Sequence, residues 1–164
     1  MEPEHLYSEK IFDKIIAGIL ISVSIVMIFL FIYFTLTLDP GSELIIVQWV
    51  FLGVGIVMLF LALNFGILSI KISPQSVVLR YGIIKNEIKL DDVEDCHHDS
   101  RLGIRYGGWG LRAIRSRGKW VKGYILVRVP KIILSLKEGK FKEVAISTRN
   151  PDKILQIIKE QIGN

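Results

Sequence analysis

The chain has 164 residues, of which 51% are hydrophobic, and a formal net charge of +5. That length allows one ordinary domain, or a small domain with a membrane anchor. Residues 15–38 and 44–70 hold no Asp, Glu, Lys, Arg or His, which excludes a uniform soluble globule. Cys96 is the only cysteine, so an intramolecular disulfide is excluded as well.

Residues 1–14 carry Glu2, Glu4, Glu9 and Asp13 against Lys10 and Lys14. A cleaved signal peptide has a basic leader and an apolar stretch of about 7–15 residues. Neither feature fits here. The run that follows, Ile15 to Leu38, is "IIAGILISVSIVMIFLFIYFTLTL", and about 20 residues suffice to cross a hydrocarbon core of roughly 30 Å. Sixteen of its residues are Ile, Leu, Val or Phe, which together favour insertion by at most roughly 5–9 kcal/mol. A second run, Leu44 to Ile70, predicts a transmembrane helix over 44–69 whose last residues leave the bilayer. Pro40-Gly41, inside the link 39–43, predicts a tight external reversal.

Two Lys or Arg residues precede the first helix, none lie in the link and nineteen follow the second. The positive-inside rule therefore predicts a multi-pass cell-membrane protein with both termini in the cytoplasm, where Cys96 stays reduced. Gly18 with Ser22, and Ala62 with Gly66, are small-residue pairs expected to bring the two helices closest together near the cytoplasmic face. Gln48 and Asn64 are read as interfacial, or as partners in an interhelical hydrogen bond. With no ionisable group in either run, the helix pair is an anchor rather than a transporter.

The texture changes at Ile70. "IIKNEIKL" (83–90) alternates apolar and charged residues, the signature of a strand with one wet side. "SVVLRYG" precedes it and Tyr81-Gly82 marks a turn. "KIILSLKEGKFKEVAIST" reads as a hairpin around Glu138-Gly139. Asn150 then predicts an N-cap, Pro151 a first helical position and Gly163 an end, with Ile154, Leu155, Ile158 and Ile162 on one apolar face. Residues 70–164 thus predict an all-β domain of about seven strands closed by a C-terminal amphipathic helix.

"YGGWGLR" at 106–112, "KEGKFKEVAISTRNPDKIL" at 137–155 and, more weakly, "YSEKIF" at 7–12 carry a family resemblance. In this order they resemble the small prokaryotic membrane proteins in which two transmembrane helices precede a pleckstrin-homology-like (PH-like) domain. The resemblance implies a bent seven-stranded sheet closed by the last helix, and it transfers no activity.

The candidate binding surface is Arg105, Tyr106, Trp109, Arg112, Arg115, Arg117, Lys119, Trp120 and Lys122. No acidic residue occurs between Asp99 and Glu138, and residues 71–164 hold nineteen basic against ten acidic side chains. Near an anionic leaflet each well-placed cation gains about 1 kcal/mol, and Trp and Tyr favour the same layer. The expected contacts are the membrane itself, anionic lipid headgroups, and an unknown protein partner or a second copy. Nucleic acid is not expected, because lipid is the nearer polyanion. The glycines around Trp109 allow either a positive-φ loop that displays the ring or a turn that lets it plug the barrel end. The usual burial of Trp favours the second. No phosphate-binding glycine motif occurs, so no cofactor is expected.

"DCHHDS" (95–100) is the one stretch that hints at chemistry. Cys96, His97, His98 and Asp99 are ligand types, but a strand lets only alternate residues converge, and no second Cys/His cluster completes a metal sphere. The reading is therefore a non-enzymatic binding or scaffolding module without a metal site. The alternative is a membrane-bound enzyme, metal-dependent or hydrolytic, built on those four residues.

Overall fold

The computed structural model describes residues 6–37, 44–99, 108–116 and 118–163. The expected reversal at Pro40-Gly41 and the candidates Arg105, Tyr106 and Arg117 lie outside the described residues. The chain divides into two compact units. One runs from Asp13 to Gly66, and the other joins the residues before Asp13 to those after Gly66.

The first unit is a pair of helices, α1 (Lys14–Thr37) and α2 (Ile45–Phe65). Both are long and apolar enough to cross a membrane. Their outward side chains are large and apolar, with Phe29, Leu36, Ile46 and Leu63 all more than 60% exposed. Asp13 starts α1 as an N-cap, its carboxylate accepting the Ile16 N–H at 3.2 Å. The Asp13 N–H in turn donates to the Gly66 carbonyl at 2.8 Å, which ties the start of one helix to the end of the other. Ser24 Oγ donates to the Gly55 carbonyl at 2.8 Å. Eleven residues forward on one helix thus answer eleven back on the other, and the same register sets Ala17 opposite Ala62, both buried.

The expected close approach at Gly18 and Ser22 is corrected. A Cβ on Gly18 would meet nothing within 4 Å, and Ser22 bonds back to the Gly18 carbonyl of its own helix. The seam instead repeats every seven residues (17 and 24; 55 and 62), a spacing that returns to one side after two turns. Residues 18 and 22 fall beside that seam.

The second unit contains nine strands among the described residues, and seven of them lie wholly within 70–164, where about seven were expected. Strands β1 (Tyr7–Phe12), β2 (Ile67–Ile72), β3 (Ser76–Tyr81) and β4 (Ile84–Lys89) form an antiparallel four-stranded sheet. Strand β1 pairs with β2 from Tyr7↔Ile72 to Phe12↔Ile67, so part of the expected N-terminal segment belongs to the sheet. The expected end of the second helix at 69 falls inside β2. Leu68, Ile70 and Ile72 are fully buried while Ser69 and Lys71 face outward, a period of two that ends the helix at Phe65.

A short 3-10 turn (Leu90–Asp92) leads to the second sheet. It is built from β5 (Val93–Asp99), β6 (Gly110–Ser116), β7 (Lys119–Ile125), β8 (Lys131–Leu136) and β9 (Glu143–Ser147). The strand order is β5-β8-β9-β7-β6, with β7 and β9 parallel and the other pairs antiparallel. The central strands are buried on both faces, which explains their unbroken apolar runs Ile132–Leu134 and Val144–Ile146. Ile133 and Ala145 cluster with Val121 and Ile125 on one face. Helix α3 (Pro151–Ile162) packs against β5 and β8 and buries Ile154, Leu155 and Ile158.

The α3 start differs from the expected cap. Pro151 occupies the first turn, but Asn150 makes no side-chain cap bond. Its amide donates instead to the Tyr7 hydroxyl at 3.1 Å. The Glu9 carboxylate accepts the Thr148 hydroxyl at 2.6 Å, the Arg149 N–H at 3.1 Å and the Tyr7 hydroxyl at 3.1 Å. The Lys153 ammonium lies 5.6 Å from the Tyr7 ring centroid. "YSEKIF" and "STRNPDK" are therefore two halves of one polar clasp. Burial raises the Tyr7 pKa, and the neighbouring Glu9 charge adds to the rise.

Candidate functional site

The hairpin β6–β7 carries most of the candidate residues that the structure describes. Gly108 and Gly110 flank Trp109 with φ of 105° and 92°, a region that side chains other than glycine rarely adopt. The Arg112 Nε donates to the Trp109 carbonyl at 3.1 Å and closes the turn. Trp109 is 41% exposed and Trp120 40%. The expectation that Trp109 plugs the end of the barrel is thus corrected: the two positive-φ glycines turn the chain so that the ring stays largely outside the core.

Strand register sorts the cations. Arg112 pairs with Gly123, Arg115 with Trp120 and Lys122 with Ala113. Paired residues share a face and successive residues alternate. Arg112 and Lys119 therefore share one face with Ile114 and Val121, while Arg115, Trp120 and Lys122 share the other. The candidates do not gather into one patch; they line both sides of a hairpin. Strand β6 is the last in its sheet, so both sides stand at an edge. Arg112, Arg115 and Lys119 are exposed.

Lys122 differs from the other cations. Its ammonium donates to Asn86 Oδ1 at 3.1 Å and lies 5.7 Å from the Tyr124 ring and 5.9 Å from the Phe141 ring. Burial lowers its pKa. Lys122 lines a cleft of about 200 Å³ together with Asn86, Glu87, Asp92, Glu138 and Phe141. Lys140 stands at the cleft rim, its ammonium 5.6 Å from the Trp120 centroid, within reach of a cation–π contact. Asn86, Lys140 and Phe141 were not among the residues singled out by sequence. Lys122 lies two residues from Tyr124 and hence on its face of β7.

Tyr124 beneath it is fully buried, and among the described residues its hydroxyl has no hydrogen-bond partner. Burial pushes its pKa up to about 12. A group whose folded pKa is raised holds its proton longer in the native state, so stability falls as pH climbs from the ordinary tyrosine value of about 10 towards 12. An orphaned buried hydroxyl costs roughly 1–3 kcal/mol. Tyr124→Phe is accordingly expected to stabilise the domain by about 1 kcal/mol at neutral pH and to flatten the alkaline loss. Denaturant unfolding at neutral pH and at about pH 11 checks both expectations.

The stretch "DCHHDS" is divided by the same alternation. Cys96 is buried with its Sγ 3.9 Å from the Leu155 carbonyl. Burial pushes its thiol pKa up, with Lys159 opposing. His98 Nε2 lies 2.9 Å from Asp152 Oδ1 at the start of α3, whereas His97 Nδ1 lies 3.5 Å from Asp95 Oδ2. Each histidine has its own carboxylate. Among the described residues, no group of three or more His, Cys, Asp or Glu side chains converges as metal ligands would.

Comparison with protein-family models, with curated proteins and with solved structures gives no match to this chain.

Proposed function

We propose that this chain is a membrane-anchored binding or scaffolding module, with a PH-like domain held at the cytoplasmic surface of the cell membrane and both termini inside. The apolar flanks of α1 and α2 support the anchor, since water would meet large side chains all along both helices. Two sheets followed by one packed C-terminal helix agree with the PH-like resemblance. Nine strands among the described residues, one of them ahead of the helices, are its departures.

The observation that carries the reading is the edge hairpin, with Arg112 and Lys119 on one face, Arg115 and Trp120 on the other, and Trp109 exposed at its base. Cations on both faces grip a partner that wraps the edge better than they lie on a flat headgroup plane. The favoured contact is an acidic protein segment, and the same side chains also suit anionic headgroups. A photo-crosslinking amino acid at position 109, placed in the full chain in cells, is expected to trap a discrete partner. The adduct should disappear in Arg112→Glu/Arg115→Glu, which replaces two exposed side chains. The same adduct pattern from an exposed α3 position such as Gln156 would count against the hairpin as the contact.

A further inference from the structure

Both helices join the four-stranded sheet at one end, and that end is apolar. Strand β1 stops at Phe12 and α1 begins at Lys14, while α2 stops at Phe65 and β2 begins at Ile67. A single residue thus separates Phe12 and Ile67 from a helix, and the two face each other in the β1–β2 pair. The β3–β4 turn lies at the same end. Leu68 pairs with Tyr81, and the Gly82 N–H donates to the Ile67 carbonyl. Gly82 takes a φ of 61°, and the turn it forms leaves Ile83 67% exposed, beside Phe12 at 44% and Ile67 at 42%.

Cations stand directly behind this tip. Arg80 and Lys85 pair across β3 and β4, and both are exposed. The Arg80 Nε donates to the Gly82 carbonyl at 3.2 Å, which holds the guanidinium against the turn. Lys10, Lys71 and Lys89 continue the same outward face. The acid there, Glu87, already accepts Lys85 and the Ser76 hydroxyl. Glu9, the other acid on these strands, is turned into the clasp with Thr148.

We infer that the end of the sheet formed by Ile83, Phe12 and Ile67 seats in the headgroup layer of an anionic bilayer, with Arg80 and Lys85 on lipid phosphates. The inference rests on the membrane-anchor reading. A residue spans at most about 3.6 Å, so Phe12 and Ile67 stay at the boundary that the helix ends define. Three exposed apolar side chains at that boundary gain by leaving water. Each flanking cation raises local occupancy near anionic lipid by about fivefold. The hairpin β6–β7 lacks this covalent constraint.

The test uses the full chain in the Cys96→Ala background, with one environment-sensitive fluorophore at Ile83→Cys, Glu138→Cys or Ile25→Cys. The protein is reconstituted in phosphatidylcholine vesicles with or without phosphatidylglycerol, doped with a lipid quencher at headgroup depth. With phosphatidylglycerol present, quenching at 83 is expected to exceed that at 138 by at least about threefold. It should fall in Arg80→Glu/Lys85→Glu and in phosphatidylcholine alone. Position 25 should respond to a quencher deep in the acyl chains under every condition. Deep quenching at 25 with equal headgroup quenching at 83 and 138 overturns the inference and leaves the anchor standing. Equal quenching at 83 with and without phosphatidylglycerol overturns the part assigned to Arg80 and Lys85. No quenching at 25 overturns the anchor, and the inference falls with it.

Discussion

Glu9→Ala is expected to destabilise the β domain by roughly 2–4 kcal/mol, because one carboxylate serves three donors and hydrogen bonds to charged groups contribute about 1.5–3 kcal/mol each. The donors are the Thr148 hydroxyl, the Arg149 N–H and the Tyr7 hydroxyl. Thr148 is fully buried, so its hydroxyl, once orphaned, finds no water in exchange. Ala also removes the side-chain tie from β1, the edge strand of its sheet, to Thr148 and Arg149. Glu9→Gln keeps one acceptor oxygen and should fall between Ala and the parent. Denaturant unfolding of the full chain in detergent, read by far-ultraviolet circular dichroism, measures the loss. A Glu9→Ala protein within about 0.5 kcal/mol of the parent, the range of a neutral surface change, would contradict the clasp.

Gly55→Leu is expected to separate α1 from α2. A Cβ at Gly55 would already stand 3.1 Å from Ile28 Cγ1 and 3.4 Å from both Met27 Cβ and the Ser24 carbonyl oxygen. Ala asks Ile28 to give by a few tenths of an ångström. Leu adds three more carbons to a seam with no room and breaks the bond from Ser24 to the Gly55 carbonyl. Overpacking of this kind costs about 1–3 kcal/mol. In a Cys96→Ala background, cysteines at 17 and 62 should form a disulfide readily, and Gly55→Leu should slow it by tenfold or more, about 1.4 kcal/mol. Crosslinking that is unchanged by Gly55→Leu would show that the helices do not meet through this seam.

The helices could be read from the length of their apolar runs, and the β4 alternation and the α3 apolar face from periodicity, because each pattern lies within one continuous segment. What was hidden depends on partners far along the chain. "YSEKIF" alternates as a strand should, yet its partner β2 begins 55 residues after its own last residue, Phe12 to Ile67. An apolar run that passes without a break from α2 into β2 conceals the boundary, since Ile67 and Leu68 are apolar whichever way they face. The Gly18/Ser22 expectation failed because four-residue spacing describes one helix alone, while the seam is set by the register of two.

The candidate site was legible in composition and not in geometry. Basic and aromatic residues do crowd the hairpin, and glycines do take positive φ around Trp109. Arg115 lies three positions after Arg112, an odd offset, so alternation alone places them on opposite faces of any strand. That inference needs only the strand assignment. The inward turn of Lys122 needed more, because Asn86 and Phe141 reach it from the four-stranded sheet and from the β8–β9 turn.

The central claim is that both helices cross the cell membrane and hold the β domain inside. Labelling of single cysteines by a membrane-impermeant maleimide, in the Cys96→Ala background, tests it most directly. With Gly41→Cys in the link and Gly163→Cys at the far end, intact cells should label position 41 and spare 163, and permeabilised cells should label both. Labelling of 163 in intact cells, with 41 protected, would place the β domain outside and contradict the account.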